Sequence, residues 1–437
     1  MLVEQYNLQF SRNRNVNKTT EEEIQNINDG DLIDINFDKD DIINAINKLN
    51  KNSAAGPDGI PSVLLLNTKD AITIPLQLIL RKSIDEGIIP SIFKLAYITP
   101  IHKGGSKLEP ANYRPISLTS HVMKVFERVM KTHLVEHLGK NNLLKQNQHG
   151  FITGRSTQTQ LLQHYGDVFE ALSEGVRLDT VYLDFAKAFD KVNHDILLKK
   201  IINHRIKGKI GMWIKDFLQH RKYKVVANGV MSMEQDLISG VPQGTVLASL
   251  FFIIMIADID DDLMNSIVRL FADDTKVSAK IKNEEDIELL QKDLNRIYEW
   301  ADSNNMVFNE DKFERLTHGN KGITALGTYK TKSGKEIKPK KTIKDLGVLT
   351  SEDVSFAEHI ENVVQSSKIM SGLLLRNFDT RDPILMMKMF NAYIRSKVEY
   401  CSLIWSPWRK EDIDKLERIQ KNYTSQIRGL ENMNYHK

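Results

Sequence analysis

The segment VRLFADDTKVSA, Val268 to Ala279, decides how this chain is read. Its two arms, Val268 to Phe271 and Thr275 to Ala279, have the apolar and β-branched composition of paired strands. Asp273 and Asp274 fall at the turn between them. Two carboxylates held together near a core repel, and each raises the other's pKa. A divalent cation relieves that repulsion, and a small set of hard oxygen ligands suits Mg²⁺. An Asp-Asp pair is also ordinary turn chemistry. Taken alone, the pair does not decide between a turn and a site.

A third acid lies upstream. Thr180 to Leu183 is β-branched and aromatic and reads as a short buried strand ending at Asp184. If the chain brings Asp184 to the pair, two magnesium ions shared among them can activate a 3′-hydroxyl and stabilise a leaving pyrophosphate. The acid run Asp258, Asp260, Asp261 and Asp262 is different. It lacks the central glycine of a calcium loop and has Arg269 where that loop ends in glutamate. It reads as a helix end and a solvated loop.

Working outward, Asn193 can cap a helix over Asp195 to Asn203. Asn228-Gly229, inside Lys222 to Glu234, is a strong hairpin signal. Asn283 to Asn304 is amphipathic, with Ile287, Leu290, Leu294, Ile297 and Ala301 on one face. Val246 to Ala257 reads as a buried helix, too short to span a bilayer. Residues 1 to about 30 are polar and aperiodic and read as a linker or tail. After Leu349 the pattern is mainly helical. Strands and helices mix without regular alternation, so the fold class is α+β.

A chain of 437 residues suits two or three lobes around a large core. Apolar content of 41% and charged content of 27% exclude disorder as the default. The net charge of +3 says little about partners, but its distribution says more. Lys199 to Lys224 holds nine basic residues against Asp216, and Lys330 to Lys344 holds seven lysines against Glu336. Such stripes suit a phosphate backbone or a solvated face. Cys401 is the only cysteine, which excludes a disulfide framework and a cysteine-rich zinc module. No secretory signal pattern opens the chain. A soluble intracellular protein with no membrane partner is expected.

The context of the acids carries a resemblance. YLDFAKAFDKVNH (Tyr182 to His194), GVPQGTVLASLFF (Gly240 to Phe252) and FADD (Phe271 to Asp274) resemble motifs A, B and C of reverse transcriptases. NYRPISLTSHVMKVFERVM (Asn112 to Met130) and HGFITGRST (His149 to Thr157) resemble the two finger motifs. AAGPDGIP (Ala54 to Pro61) resembles an N-terminal block of the LINE-type, non-LTR branch. NEDK (Asn309 to Lys312) and DLGV (Asp345 to Val348) resemble motifs D and E. The resemblance runs in family order over roughly residues 40 to 425 and is nearest to the jockey-like members.

The resemblance implies roles. Asp184, Asp273 and Asp274 match the catalytic metal-binding carboxylates, for two Mg²⁺ ions with Mn²⁺ as the alternative. Phe189 matches the aromatic gate that excludes a 2′-hydroxyl. Gln243 and Gly244 match the motif B contact to the incoming nucleotide, glycine permitting close approach. Arg114 matches the finger arginine that contacts triphosphate, its forked donors suiting phosphate, and Lys103 is offered as a second phosphate contact. Arg155 is offered as a template contact or a loop brace. Lys312 is offered as a proton donor to pyrophosphate or an exposed loop lysine. Ile152, Ala248-Ser249 and Phe313 depart from the family pattern, and none of them removes a metal ligand.

The implied architecture is a right-hand polymerase with an antiparallel palm sheet flanked by helices. Its expected parts are the linker or tail (1–30), fingers with an N-terminal extension (31–178), palm (179–349, with a finger–palm hairpin near 222–234) and helical thumb (350–437). The implied reaction is RNA-directed DNA synthesis from deoxynucleoside triphosphates, primed by DNA or a nicked target strand. An endonuclease domain is expected to be absent from this chain. A nuclear location with a cytoplasmic ribonucleoprotein stage is expected. Two rivals stay open: a viral RNA-dependent RNA polymerase, which Phe189 opposes, and a decayed or domesticated RNA-binding derivative.

Overall fold

The computed structural model describes residues 1–10, 19–319 and 327–431. Along the chain the strands are β1 (Leu95–His102), β2 (Tyr113–Leu118), β3 (Arg177–Leu183), β4 (Arg221–Ala227), β5 (Val230–Met231) and β6 (Gln235–Leu237). They continue as β7 (Ile267–Phe271), β8 (Asp274–Ile281), β9 (Glu314–His318), β10 (Lys338–Lys340), β11 (Thr342–Asp345) and β12 (Val348–Ser351). The central sheet has the order β10-β9-β3-β8-β7. Its three inner pairings are antiparallel, and β10 joins the edge in parallel.

The register of this sheet places the acids. Leu183 pairs with Thr275, so Asp184 leaves β3 alongside Asp274. Phe271 pairs with Asp274, so the β7–β8 turn consists of Ala272 and Asp273. The expected turn was one residue later. Asp274 is instead the first residue of β8, because a two-residue hairpin turn leaves only two positions outside the ladder. Ala272 takes a φ of 54°, a left-handed backbone that a residue with a Cβ adopts only under constraint.

Helices wrap this sheet. Ala248–Met255 is apolar on nearly every side and seven of its eight residues are buried, so it runs through the interior. His194–Asn203 starts where Asn193 accepts hydrogen bonds from the backbone N–H groups of Asp195 and Ile196. Glu284–Ser303 begins with an Asn283–Asp286 capping box and buries Ile287, Leu290, Leu294, Ile297 and Ala301. The main core takes side chains from Ile35 through Ile337, so the expected fingers and palm are buried together. The helices after Ala357 gather around a second core with Ile360, Val364, Phe390, Trp405 and Tyr423.

A second sheet has the order β2-β1-β4-β5, with β6 also on β4. The Asn228-Gly229 turn has φ values of 52° and 77°, the doubly left-handed geometry its sequence announces. Of its arms, β4 pairs with β1 while β5 and β6 pair with β4, so the hairpin belongs to that sheet, and among the described residues no strand pairing ties it to the central one.

The N-terminal residues correct one expectation. Leu2–Gln9 forms a helix whose Tyr6, followed by Phe10, is buried against Ile98, Tyr223 and Val225. Glu21–Gln25 forms another, with a Thr20–Glu23 capping box and Ile24 fully buried. The few apolar residues of such short helices do not show a period, yet they are enough to fasten a segment to a structure already formed. Residues 11–18, part of the expected tail, lie outside the described residues. Among the described residues, no helix is long and apolar enough to cross a membrane.

Candidate active site

Asp184 and Asp273 line a cavity of about 700 Å³ together with Lys103, Arg114, Phe189, Gln243, Gly244 and Lys312. Asp274 faces a groove of about 160 Å³ beside it, which Asp184 and Lys312 also line. Chain positions as distant as Lys103 and Lys312 thus converge on one end of β3.

The electrostatics of the three acids differ. Burial, followed by the charge of Asp273, pushes Asp274 up to about 6. Burial also raises Asp273, and the charge of Asp184 adds to it. Asp184 is met by Lys312, whose Nζ lies 2.9 Å from Oδ2. In the same cavity lining, burial lowers Lys103, and the neighbouring Arg114 charge lowers it further. The cavity therefore sets cations against repelling carboxylates.

Among the described residues, no three His, Cys, Asp or Glu side chains already gather as metal ligands do. The lysine ammonium takes up one Asp184 oxygen. The donor set nevertheless fits a divalent cation: three hard oxygen carboxylates at one strand end, two of them destabilised by burial and by a neighbouring carboxylate.

Phe189 forms part of the cavity wall. Its ring stacks on Phe252 at 4.4 Å and meets Phe151 edge-on at 6.3 Å. Packing thus fixes the ring that faces the cavity. Gln243 is held at both ends. Its backbone carbonyl accepts the Ser117 N–H at 2.7 Å, and its Nε2 donates to Asp190 Oδ1 at 2.8 Å. Gly244 has a φ of 118°, and a Cβ there would lie 2.5 Å from the Ser117 carbonyl oxygen. Only glycine fits that crossing of the loop over β2.

Arg155 does not reach this cavity. Its guanidinium donates to the carbonyl oxygens of Lys145, Gln146 and Gln148, at 2.7, 3.2 and 2.5 Å, and to Gln146 Oε1 at 3.0 Å. Of its two offered roles, the structure shows the loop brace. Its Nη1 is engaged by those backbone carbonyls.

Several supporting residues escaped the sequence. Glu127 is fully buried and accepts the backbone N–H groups of Val246 and Leu247, at 2.6 and 3.0 Å, where the buried helix begins. Gln148 Oε1 accepts the N–H of Gly150 at 2.7 Å and that of Ala272 at 2.9 Å, which braces the strained turn. Asp190 orients Gln243. Each acts across a long sequence separation, and nothing in its local string marks it.

Asp190 also gives a pH signature. Burial pushes its carboxyl up from 3.8 to about 6, against the Gln243 hydrogen bond and the Lys187, Lys103 and Arg114 charges. Above pH 6 the native state carries a poorly solvated charge. As pH falls through 6, the native state takes up a proton that the unfolded chain does not bind, so stability rises until about pH 4. Between pH 7 and 5 this group should contribute a gain of about 1 kcal/mol. Asp190→Asn should be the more stable protein at pH 7 and should lack that gain. Urea midpoints at both pH values measure it. An unchanged pH dependence in the variant would refute the assignment.

Carboxylates and cationic side chains gathered at one cavity suit divalent ions and phosphates, and comparison with known proteins gives the family. The family described as "Reverse transcriptase (RNA-dependent DNA polymerase)" matches residues 101–349, more than half of the chain. The chain belongs to that family. Its relatives place it in the LINE-type, non-LTR branch. It is 26% identical over 404 residues to the "Probable RNA-directed DNA polymerase from transposon X-element" of Drosophila melanogaster, covering 90% of this chain and 44% of that protein. It is 27% identical over 402 residues to the "RNA-directed DNA polymerase from mobile element jockey" of the same organism, covering 89% and 44%. The chain thus spans less than half the length of these relatives. A solved structure, apo telomerase from Candida tropicalis truncated from its C-terminal domain, aligns with a TM-score of 0.44 at 11% identity, over 64% of this chain and 58% of that one.

Proposed function

We propose that this chain extends a DNA primer on an RNA template, using deoxynucleoside triphosphates. The observation that carries the proposal is the meeting of Asp184, Asp273 and Asp274 at one strand end, with Asp184 and Asp273 lining the same cavity as Lys103 and Arg114. Asp184, Asp273 and Asp274 would hold two divalent ions, magnesium in this proposal. When bound, these supply Lewis-acid activation of the primer hydroxyl and charge neutralisation on the phosphates. Arg114 and Lys103 bind the triphosphate. Gln243 and the open backbone at Gly244 position the nucleotide against the template. Lys312 balances Asp184 in the absence of substrate. The template in this proposal is an element RNA and the primer a target DNA end, which places the work in the nucleus.

The test is extension of a labelled DNA primer on an RNA template with Mg²⁺. Template-length DNA product is expected. An RNA-binding protein that yields no product under any divalent ion would overturn the proposal.

Phe189 supplies a second measurement. Its ring, fixed by stacking on Phe252, lines the cavity proposed for the nucleotide, where it would exclude a 2′-hydroxyl. Phe189→Val should raise the ribonucleotide-to-deoxyribonucleotide ratio of kcat/KM by roughly 10- to 100-fold. An unchanged ratio would remove Phe189 from sugar selection.

A further inference from the structure

The cavity has a lining residue that the chemistry above does not use. Gln9, the last residue of the helix Leu2–Gln9, lines it together with Lys103, Tyr113, Arg114 and Asp190. It lies outside every motif quoted above and outside the residues that the family matches. Gln9 is only 2% exposed, and among the described residues its Oε1 has no hydrogen-bond partner. Buried polar atoms in folded proteins are almost always paired, so an orphaned one calls for a partner that the protein does not itself supply.

The helix is fastened where it can serve such a partner. Asn7 Oδ1 accepts the Tyr223 hydroxyl at 2.7 Å, and Asn7 Nδ2 donates to Gln235 Oε1 at 3.1 Å, which ties the helix to β4 and β6. Phe10 meets the Tyr223 ring edge-on at 5.4 Å. Lys191 Nζ donates to the Leu8 carbonyl at 3.1 Å. Burial, and then the Asp190 charge, raises the Tyr6 hydroxyl one turn before Gln9. Asp190 and Lys191 directly follow Phe189, so the end of the helix stands beside the segment whose ring is assigned to the nucleotide's sugar.

The chemistry of the orphan narrows the partner. An oxygen acceptor needs a donor, and a triphosphate at neutral pH offers mainly acceptors. The donors of a base face its template partner. The sugar's 3′-hydroxyl is the donor left over. The terminal torsion of a glutamine amide is soft, so its oxygen can turn to meet that hydroxyl. We infer that Gln9 is a specificity-determining residue that accepts a hydrogen bond from the 3′-hydroxyl of the incoming deoxynucleotide. The helix Leu2–Gln9 is then part of the nucleotide site. The inference rests on the polymerase function proposed above.

Single-nucleotide incorporation of dTTP and of its dideoxy analogue, on a DNA primer and an RNA template, tests it. The wild-type protein should prefer dTTP. Gln9→Met keeps the side-chain length but removes the acceptor, and should lower the deoxy-to-dideoxy ratio of kcat/KM roughly 10-fold. Gln9→Glu keeps an acceptor oxygen and should keep the ratio, because its charge acts equally on two substrates with the same triphosphate. A merely structural role would slow both substrates together and leave the ratio unmoved. An unchanged ratio in Gln9→Met would overturn the contact while leaving the polymerase proposal standing. So would a wild-type protein that uses both nucleotides equally well, a result that needs no variant to fold. A wild-type protein that extends no primer with dTTP would end both.

Discussion

Asp273→Asn should lower primer extension by about three orders of magnitude while making the folded protein harder to unfold. Metal-assisted charge stabilisation is worth several kcal/mol in a transition state, and about 4 kcal/mol corresponds to a thousandfold in rate. Asparagine keeps the shape of the side chain but removes the charge that draws a cation. The stability change follows from the pKa values. Asp274 is pushed up to about 6, with Asp273 the leading charge behind burial. Removing that charge relieves a repulsion fully present at pH 7, worth on the order of 1 kcal/mol. Single-turnover extension and a urea titration on the same preparation check both halves. A variant that loses activity and stability together would mean that Asp273 serves the fold rather than the chemistry.

The second large effect is expected at Gly150, which binds nothing. A Cβ on Gly150 would collide with the backbone nitrogen of Ala272 and come within 3.0 Å of the Phe271 carbonyl carbon. Neither atom can swing aside as a flexible side chain would. Gly150→Ala must therefore lift the turn that carries Asp273 or tear the Gln148 bonds that brace it. A displacement near 1 Å can cost about a hundredfold in rate, and overpacking typically costs about 1–3 kcal/mol. Steady-state extension kinetics and a thermal melt read the two. Wild-type values in both would show that the turn tolerates the shift.

These two residues illustrate what the sequence discloses. Asp184, Asp273 and Asp274 sit in apolar strings that no solvated loop would need, and the register of β3 on β8 does bring their backbones together. Phe189, Gln243, Arg114 and Lys103 also reach the shared cavity. The hairpin at Asn228-Gly229 and the cap at Asn193 were legible because their signals are local. Gly150, Gln148 and Glu127 were not, since each matters only for what it touches across the fold. Arg155 carried the right charge in the right motif, yet spends its donors on carbonyl groups of its own loop. The helix Leu2–Gln9 was hidden because its few apolar residues gain meaning only from Tyr223 and Ile98. The buried ion pair of Lys276 and Asp345, 2.5 Å apart, was hidden for the opposite reason. Lysines and aspartates are expected at surfaces, and no local pattern says that these two are inside.

The separate core of the helices beyond Ala357 has a consequence for how the molecule comes apart. Amide exchange is governed by the smallest cooperative unit that must open, and a unit with its own core can exchange ahead of the main one, although Leu161 and Val348 join it to the helix and hairpin beside the central sheet. A single transition temperature would then average two separate events.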